Sequence, residues 1–357
     1  LRAFFGGIVR TIEWDNENRL VKMIDQRRLP GELVIYSAHN REEMVYAIQQ
    51  MVVRGAPALG VAGGLGLALA AQQLVEQKDP SWQEKLREDA LALTQARPTA
   101  VNLGWGVARA MQAAAAQAGD VSQVAQAVLQ EALNMAEEDV ATNQRLAQHG
   151  ASLIHNDDVL IHHCNTGALA GVDWGTALGA IRYAHESGKH VTVLVDETRP
   201  RLQGARLTAW ECEQYGIPYQ IITDNAAGYF LRRGEVNAVF FGADRVVANG
   251  DVINKVGTYM LSLAAHANHV PVYTVFPKTT LDLSNPDGRA VTIEEREMEE
   301  VLALEFKGER VAPQNALARN PAFDVTPHEL ISAWVTEDGV LTPPFGRNFA
   351  QSVYNLK

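Results

Sequence analysis

Residues 159–171 read VLIHHCNTGALAG, and the fold turns on how that stretch is read. Val159, Leu160 and Ile161 make a short apolar run with no polar alternation, the mark of a strand buried on both faces. At Cys164 the run gives way to a loop of small residues around Gly167. The same event recurs downstream, with apolar runs at 191–195, 219–223, 238–241 and 272–276. Helical patterns fill the intervals at 175–187, 205–215 and 259–267. Strands alternating with helices form a parallel sheet covered on both faces. Residues 136–357 are therefore expected to be a Rossmann-like parallel-sheet domain.

Upstream the rhythm differs. Short strands are expected between about residues 8 and 29, broken by the polar turn at 15–18. Five helical segments follow, at 41–53, 58–77, 82–95, 103–119 and 121–149, rich in Ala and with apolar residues at helical spacing. Residues 1–135 thus read as a mostly helical domain with a small antiparallel sheet. The fold class as a whole is α/β.

Composition narrows the function. The 357 residues suit two domains, and 47% hydrophobic with 20% charged residues is ordinary globular usage. A formal charge of -11 argues against a broad nucleic-acid or anionic-membrane surface, which needs clustered Lys and Arg. Only Cys164 and Cys212 are present, so no disulfide framework is expected and the cytoplasm is the natural address. The apolar stretch 56–71 is shorter than a membrane span and reads as a buried helix. The opening LRAFFGG lacks the apolar core and cleavage pattern of a signal peptide.

Open α/β sheets bind ligands beyond the carboxyl ends of their strands. Those ends carry Cys164-Asn165-Thr166, Asp196-Glu197-Thr198-Arg199, Asp224-Asn225 and Gly242-Ala243-Asp244-Arg245. Acidic residues in such places also cap the next helix, but a cysteine is a poor cap. Loop N–H groups can favour a thiolate at Cys164, while the same position also suits an inert buried thiol. Asp244 ends the run AVFFGAD. There it is expected to be partly desolvated, with a raised pKa suited to proton transfer; an ion pair with Arg245 is the bland alternative. Lys255 precedes Gly257 and a helix start, where an ammonium and free helix N–H groups would hold a phosphate. Arg54 in VVRGAPALG and Arg97 in QARPTAVNLGWG lie on tight loops, and an arginine fork matches phosphate oxygens.

Two other readings are set aside. His162, His163 and Cys164 are consecutive on a strand and cannot all face one metal, so none is expected. GVAGGLGLALA does not match G-x-G-x-x-G and follows no strand, so its glycines serve close helix packing. Cys212, in the helical TAWECEQYG, reads as core.

Taken together, MIDQRRLPGE, MVVRGAPALG, ARPTAVNL, HHCNTGALA, VDETRPRLQGARLTAWE, GADRVVANGDVINKVGTY and NPAFDVTP resemble the 5-methylthioribose-1-phosphate isomerases of methionine salvage. The likeness runs from Val9 to the C-terminus. The same fold family includes ribose-1,5-bisphosphate isomerases and regulatory subunits of a translation-initiation exchange factor. The resemblance implies Cys164 and Asp244 as the catalytic pair. It implies substrate contacts from Arg54, Gly55, Ala56, Arg97, Gln203, Asn254 and Lys255. It also implies a homodimer, no cofactor and no metal. AGVDWGTALG, at 170–179, departs from the expected pattern and bears on substrate preference. The alternatives are an isomerase of ribose 1,5-bisphosphate or 5-deoxyribose 1-phosphate, and a non-catalytic sugar-phosphate-binding regulatory subunit.

Overall fold

The apolar run 159–161 lies in strand β4, Asp158–His162, in a computed structural model that describes residues 10–98, 100–117, 119–343 and 349–354. The chain divides into two compact units, residues 1–142 with Gly167–Gly175, and residues 143–166 with 176–357. The division falls at Thr142–Asn143, inside a helix, rather than at the expected 135–136. In addition, a nine-residue piece of the cysteine loop belongs to the first unit. Continuous helical periodicity across 121–149 gives a sequence reading no mark at which to place such a break.

In the first unit, β1 (Ile12–Asp15), β2 (Leu20–Ile24) and β3 (Ile35–Ala38) form an antiparallel meander. The expected strands end at residue 29, so β3 was missed. It lies beyond Pro30 and Gly31, which read as a terminator. Residues 8 and 9 lie outside the described residues. Helices α1 (Arg41–Gln49), α2 (Ala56–Gln77), α3 (Trp82–Gln95), α4 (Val101–Ala116) and α5 (Val121–Ala151) follow. By length and composition α2 could cross a membrane, but 83% of its most apolar window is buried inside the protein. It is the core helix of this unit.

The glycines of α2 permit that burial. A Cβ on Gly106 of α4 would lie 2.0 Å from the Gly60 carbonyl oxygen, and one on Gly63 would meet Val107 at 2.9 Å. The helices thus cross backbone to backbone within two turns of each one's start. The Arg54 and Arg97 loops, which lead into those two starts, lie near one crossing point.

The second unit holds β4, then α6 (Ala177–Glu186), β5 (Val191–Asp196), α7 (Ala209–Tyr215), β6 (Tyr219–Ile222), α8 (Ala227–Arg232) and β7 (Ala238–Phe241). A hairpin of β8 (Arg245–Val247) and β9 (Val252–Lys255) comes next, then α9 (Thr258–Ala267), β10 (Val272–Val275) and β11 (Leu281–Asp282). After α10 (Glu299–Leu302), β12 (Glu305–Phe306) and β13 (Glu309–Arg310) form a small ribbon. The chain then adds β14 (Phe323–Thr326), β15 (Ala333–Thr336), β16 (Gly339–Leu341) and α11 (Phe349–Tyr354).

The main sheet has the order β16-β15-β10-β7-β4-β5-β6, parallel except for β16. Counted along the chain, its parallel strands run 3-2-1-4-5-6, the doubly wound order. Leu160, Val193 and Phe240 are buried on one face, while Ile161, Leu194, Val239 and Phe241 are buried on the other. This explains the lack of alternation. A second sheet, β11-β8-β9-β14, was not foreseen. Its strands are only two to four residues long and sit within motifs rich in polar residues.

Candidate functional site

The order of the main sheet reverses between its first strand, β4, and its fourth, β7, which are parallel neighbours with His162 opposite Phe240. That crevice is where doubly wound sheets take ligands. Cys164 leaves β4 two residues past its end, and Asp244 leaves β7 three past its end. Gly242 lets the two loops approach, since a Cβ there would meet Thr166 Cγ2 at 2.9 Å.

The hairpin then brings the chain back. Asp244 N donates to the Ile253 carbonyl at 3.0 Å, which sets Asn254 and Lys255 beside the Asp244 turn. The Lys255 ammonium is buried, donates to the Ala322 carbonyl at 2.8 Å and lies 4.3 Å from the centre of the Phe323 ring. Burial pushes its pKa down, as does Arg296, which lies 5.7 Å from the same ring centre. The charges on Cys164 and Asp244 pull the other way. Cys164 and Asp244 are thus each within electrostatic reach of Lys255.

Three expectations need correction or detail. Asp244 is exposed, not desolvated, because the chain has already turned out of the buried β7 run. Arg245 pairs with Asp282 at 3.0 Å. The N–H groups expected to be free for phosphate beside Lys255 are occupied, since the Asp324 carboxylate accepts from Gly257 N at 2.7 Å and from Tyr259 N at 3.2 Å. Burial raises Asp324 to about 6 against those hydrogen bonds and against the charges of His163 and Lys255.

Gln203 is buried at the start of a π-helical turn, Gly204–Thr208, and its Oε1 has no hydrogen-bond partner. Such turns cluster at functional sites. The turn closes onto β5, because a Cβ on Gly204 would lie 1.7 Å from the Asp196 carbonyl oxygen. Asn254 is buried, and its amide donates to Thr258 Oγ1 at 3.0 Å. Cys164, Gln203, Asp244, Asn254 and Lys255 all lie at the strand ends of the second unit.

The other four candidates lie in the first unit. Arg54 is half-buried, and its Nε donates to Gln26 Oε1 at 3.1 Å. Gly55 has φ 97°, and a Cβ there would lie 2.3 Å from the Ala170 carbonyl oxygen. Ala56 opens α2, and Arg97 is half-buried just before α4. Cys212 is fully buried in α7, as read, and burial pushes its thiol pKa up.

Several side-chain pairings of this region escaped the sequence reading. His163 Nδ1 bonds Asp196 Oδ2 at 2.9 Å, both fully buried. Burial lowers the His163 pKa, but the Asp196 bond and charge outweigh it, and the net shift is upward. Burial carries Asp196 to about 6 despite His163. His162 bonds Thr166 Oγ1 at 2.8 Å, and burial lowers it to about 3, so it is neutral. Asn165 donates to Glu211 at 2.8 Å and to Thr208 at 3.1 Å.

Among the described residues, two groups could converge on a metal ion: His163, Asp196 and Asp224, and Asp251, His328 and Glu329. The donors of the first are engaged apart from Asp196 Oδ1, which is buried without a hydrogen-bond partner. His163 and Asp196 bond each other, and the Asp224 carboxylate accepts from Thr198 N and Arg199 N at 2.6 and 2.7 Å. In the second, Asp251 Oδ1 bonds His328 Nδ1 at 3.0 Å and Oδ2 accepts from Gly288 N at 3.0 Å.

Residues 52–343 match the model of the initiation factor 2 subunit family. A methylthioribose-1-phosphate isomerase of Geobacter metallireducens is 46% identical over 334 residues, 93% of this chain and 95% of the relative. A solved 5-methylthioribose 1-phosphate isomerase from Pyrococcus horikoshii OT3 superposes with TM-score 0.89 at 37% identity, covering 100% of this chain and 99% of its own. A solved structure described as translation initiation factor eIF-2B, subunit delta, from A. fulgidus superposes with TM-score 0.87 at 42% identity, covering 97% and 99%.

Proposed function

The chain belongs to the methylthioribose-1-phosphate isomerases of the initiation factor 2 subunit family, and we propose from that premise that it converts 5-methylthioribose 1-phosphate to 5-methylthioribulose 1-phosphate in methionine salvage. The observation that carries this is the placement of Cys164 and Asp244 in the loops that follow the neighbouring strands β4 and β7 at the sheet's switch point, beside the hairpin strand that ends in the buried Lys255.

The phosphate on C1 blocks spontaneous opening of the furanose ring. A proton must reach the ring oxygen as the C1–O bond breaks, and hydrogen must move from C2 to C1. In an enol route, a base takes the C2 proton, C1 is then protonated and the C2 hydroxyl loses its proton. In a hydride route, hydrogen passes from C2 to C1 with its electron pair, and only the two oxygen protons need handling. Both routes need one donor to the ring oxygen and one acceptor for the C2 hydroxyl proton. We assign these roles to Cys164 and Asp244. Asp244 fits them by its place beside Lys255, not by a desolvated strand end. Lys255, Gln203 and Asn254 orient the sugar, and the family resemblance implies Arg54, Gly55, Ala56 and Arg97 as further substrate-contacting residues. The exposed apolar side chains of Tyr229, Met260 and Leu263 on α8 and α9 suit a homodimer face, and a chain with only two cysteines suits a cytoplasmic protein.

Turnover assays with 5-methylthioribose 1-phosphate, ribose 1,5-bisphosphate and 5-deoxyribose 1-phosphate test the reading. The first should be preferred, and Cys164→Ala and Asp244→Asn should each lose several orders of magnitude. A near-normal rate in either variant refutes the assignment of roles. Tight sugar-phosphate binding with no turnover of any of the three would replace the isomerase by a regulatory subunit.

A further inference from the structure

His163 stands next to Cys164, yet the proposed chemistry makes no use of it. Its ring is buried and bonded at both nitrogens, Nδ1 to Asp196 Oδ2 at 2.9 Å and Nε2 to the Val256 carbonyl at 3.1 Å. A backbone carbonyl only accepts, so Nε2 carries a proton. Nδ1 and Asp196 share a second one between them. The ring also packs against the turn after Lys255. Gly257 has φ 106°, and a Cβ on it would lie 2.8 Å from His163 Cε1. From the far side Asp324 holds the same turn through Gly257 N and Tyr259 N. The charged groups that act on the imidazole are Asp196, Asp224 and Asp324, with His162 beside it in sequence.

We propose that His163 is a positioning residue for the isomerisation, tying the Cys164 loop to the Lys255–Gly257 turn through its bond to the Val256 carbonyl. The inference rests on the isomerase reading. Asp196 anchors the ring to β5, so the histidine is braced at one end and grips the turn at the other. Losing the grip frees the segment that carries Lys255, and a misplacement of about 1 Å near reacting atoms costs about 100-fold in rate.

Two amide variants separate the two ends of the ring. His163→Asn keeps a donor where Nδ1 faces Asp196 but is too short for Val256, whereas His163→Gln places a donor near the Nε2 position. The Asn variant should lose about 10- to 100-fold in kcat and take up deuterium faster across backbone amides 255–259. The Gln variant should stay within about fivefold of the parent with near-parental exchange. Equal turnover in the two variants, or unchanged exchange in the Asn variant, overturns the tie. Should the Asn chain fail to fold, Gly257→Ala presses on the same contact, and an unaltered kcat there overturns it as well. A parent chain inactive on all three sugar phosphates would refute the isomerase reading instead, and the exchange measurement would still decide the tie.

Discussion

The backbone amide of Cys164 donates to the Thr198 hydroxyl at 2.9 Å, and both residues hold left-handed backbone angles, φ 64° and 63°. A β-branched residue in that region is an outlier, and each such residue costs of order 1 kcal/mol or more. The surroundings over-determine both. Thr208 Oγ1 donates to the Cys164 carbonyl at 2.7 Å, Asp224 accepts from Thr198 N at 2.6 Å, and Thr198 Oγ1 donates to the Asp196 carbonyl at 3.0 Å. The thiol is therefore aimed by a strained loop braced from β5.

Thr198→Ala would leave the Cys164 N–H buried without its acceptor, a loss of about 1–3 kcal/mol, and turnover should fall with it. Thr198→Ser keeps the hydroxyl and sheds the strained β-branch, and should match the parent in turnover and be no less stable. Urea unfolding and kcat check this. An alanine variant as stable and as fast as the parent would remove the brace from the account.

Asp324 gives a pH signature. Its folded pKa of about 6 lies above the ordinary carboxylate value, so between roughly pH 4 and 6 the folded chain binds more proton there than the unfolded chain. Stability from this group is therefore fully present below pH 4 and is lost as pH rises through 6. Asp324→Asn, which still offers an oxygen to the Gly257 and Tyr259 N–H groups, removes that dependence. Relative to the parent it should gain about 1–2 kcal/mol between pH 4 and pH 7, since the side chain is only partly shielded from water. Parallel stability curves for the two chains across this range would contradict the assignment.

The α2–α4 crossing gives a third test. Gly106→Ala would drive a methyl group into the Gly60 carbonyl, where both partners are backbone and neither can swing aside. Overpacking of this kind costs about 1–3 kcal/mol. Because Arg54 and Arg97 precede the two crossing helices, KM should rise more than kcat falls. Thermal melting with steady-state kinetics reads both, and a variant with parental KM would separate the arginine loops from the crossing.

Apolar runs 159–161, 191–195 and 238–241 were legible as buried strands because they are short, continuous and apolar and alternate with helical patterns. That alternation was enough to place Cys164 and Asp244 on one sheet edge. Exposure was not legible. Asp244 follows Phe240 and Phe241, both fully buried, yet two small residues let the chain turn outward. The roles of Phe323 and Asp324, within NPAFDVTP, were not legible, because a four-residue strand whose value lies in a partner far along the chain has no local signature. His163 and Asp196 met the same limit, since their pairing spans 33 residues and two strands.

The hold on Lys255 comes from Ala322, 67 residues further along the chain. Ala322 and Phe323 are added to the growing polypeptide long after β4, β5, β6, β7 and β10 have left the ribosome. A nascent chain stopped near residue 315 would possess most of its main sheet and both Cys164 and Asp244, but not the strand that seats the lysine. Contacts of such wide sequence separation close slowly. Competence for chemistry should thus arrive as a discrete late event, after the sheet has formed rather than along with it.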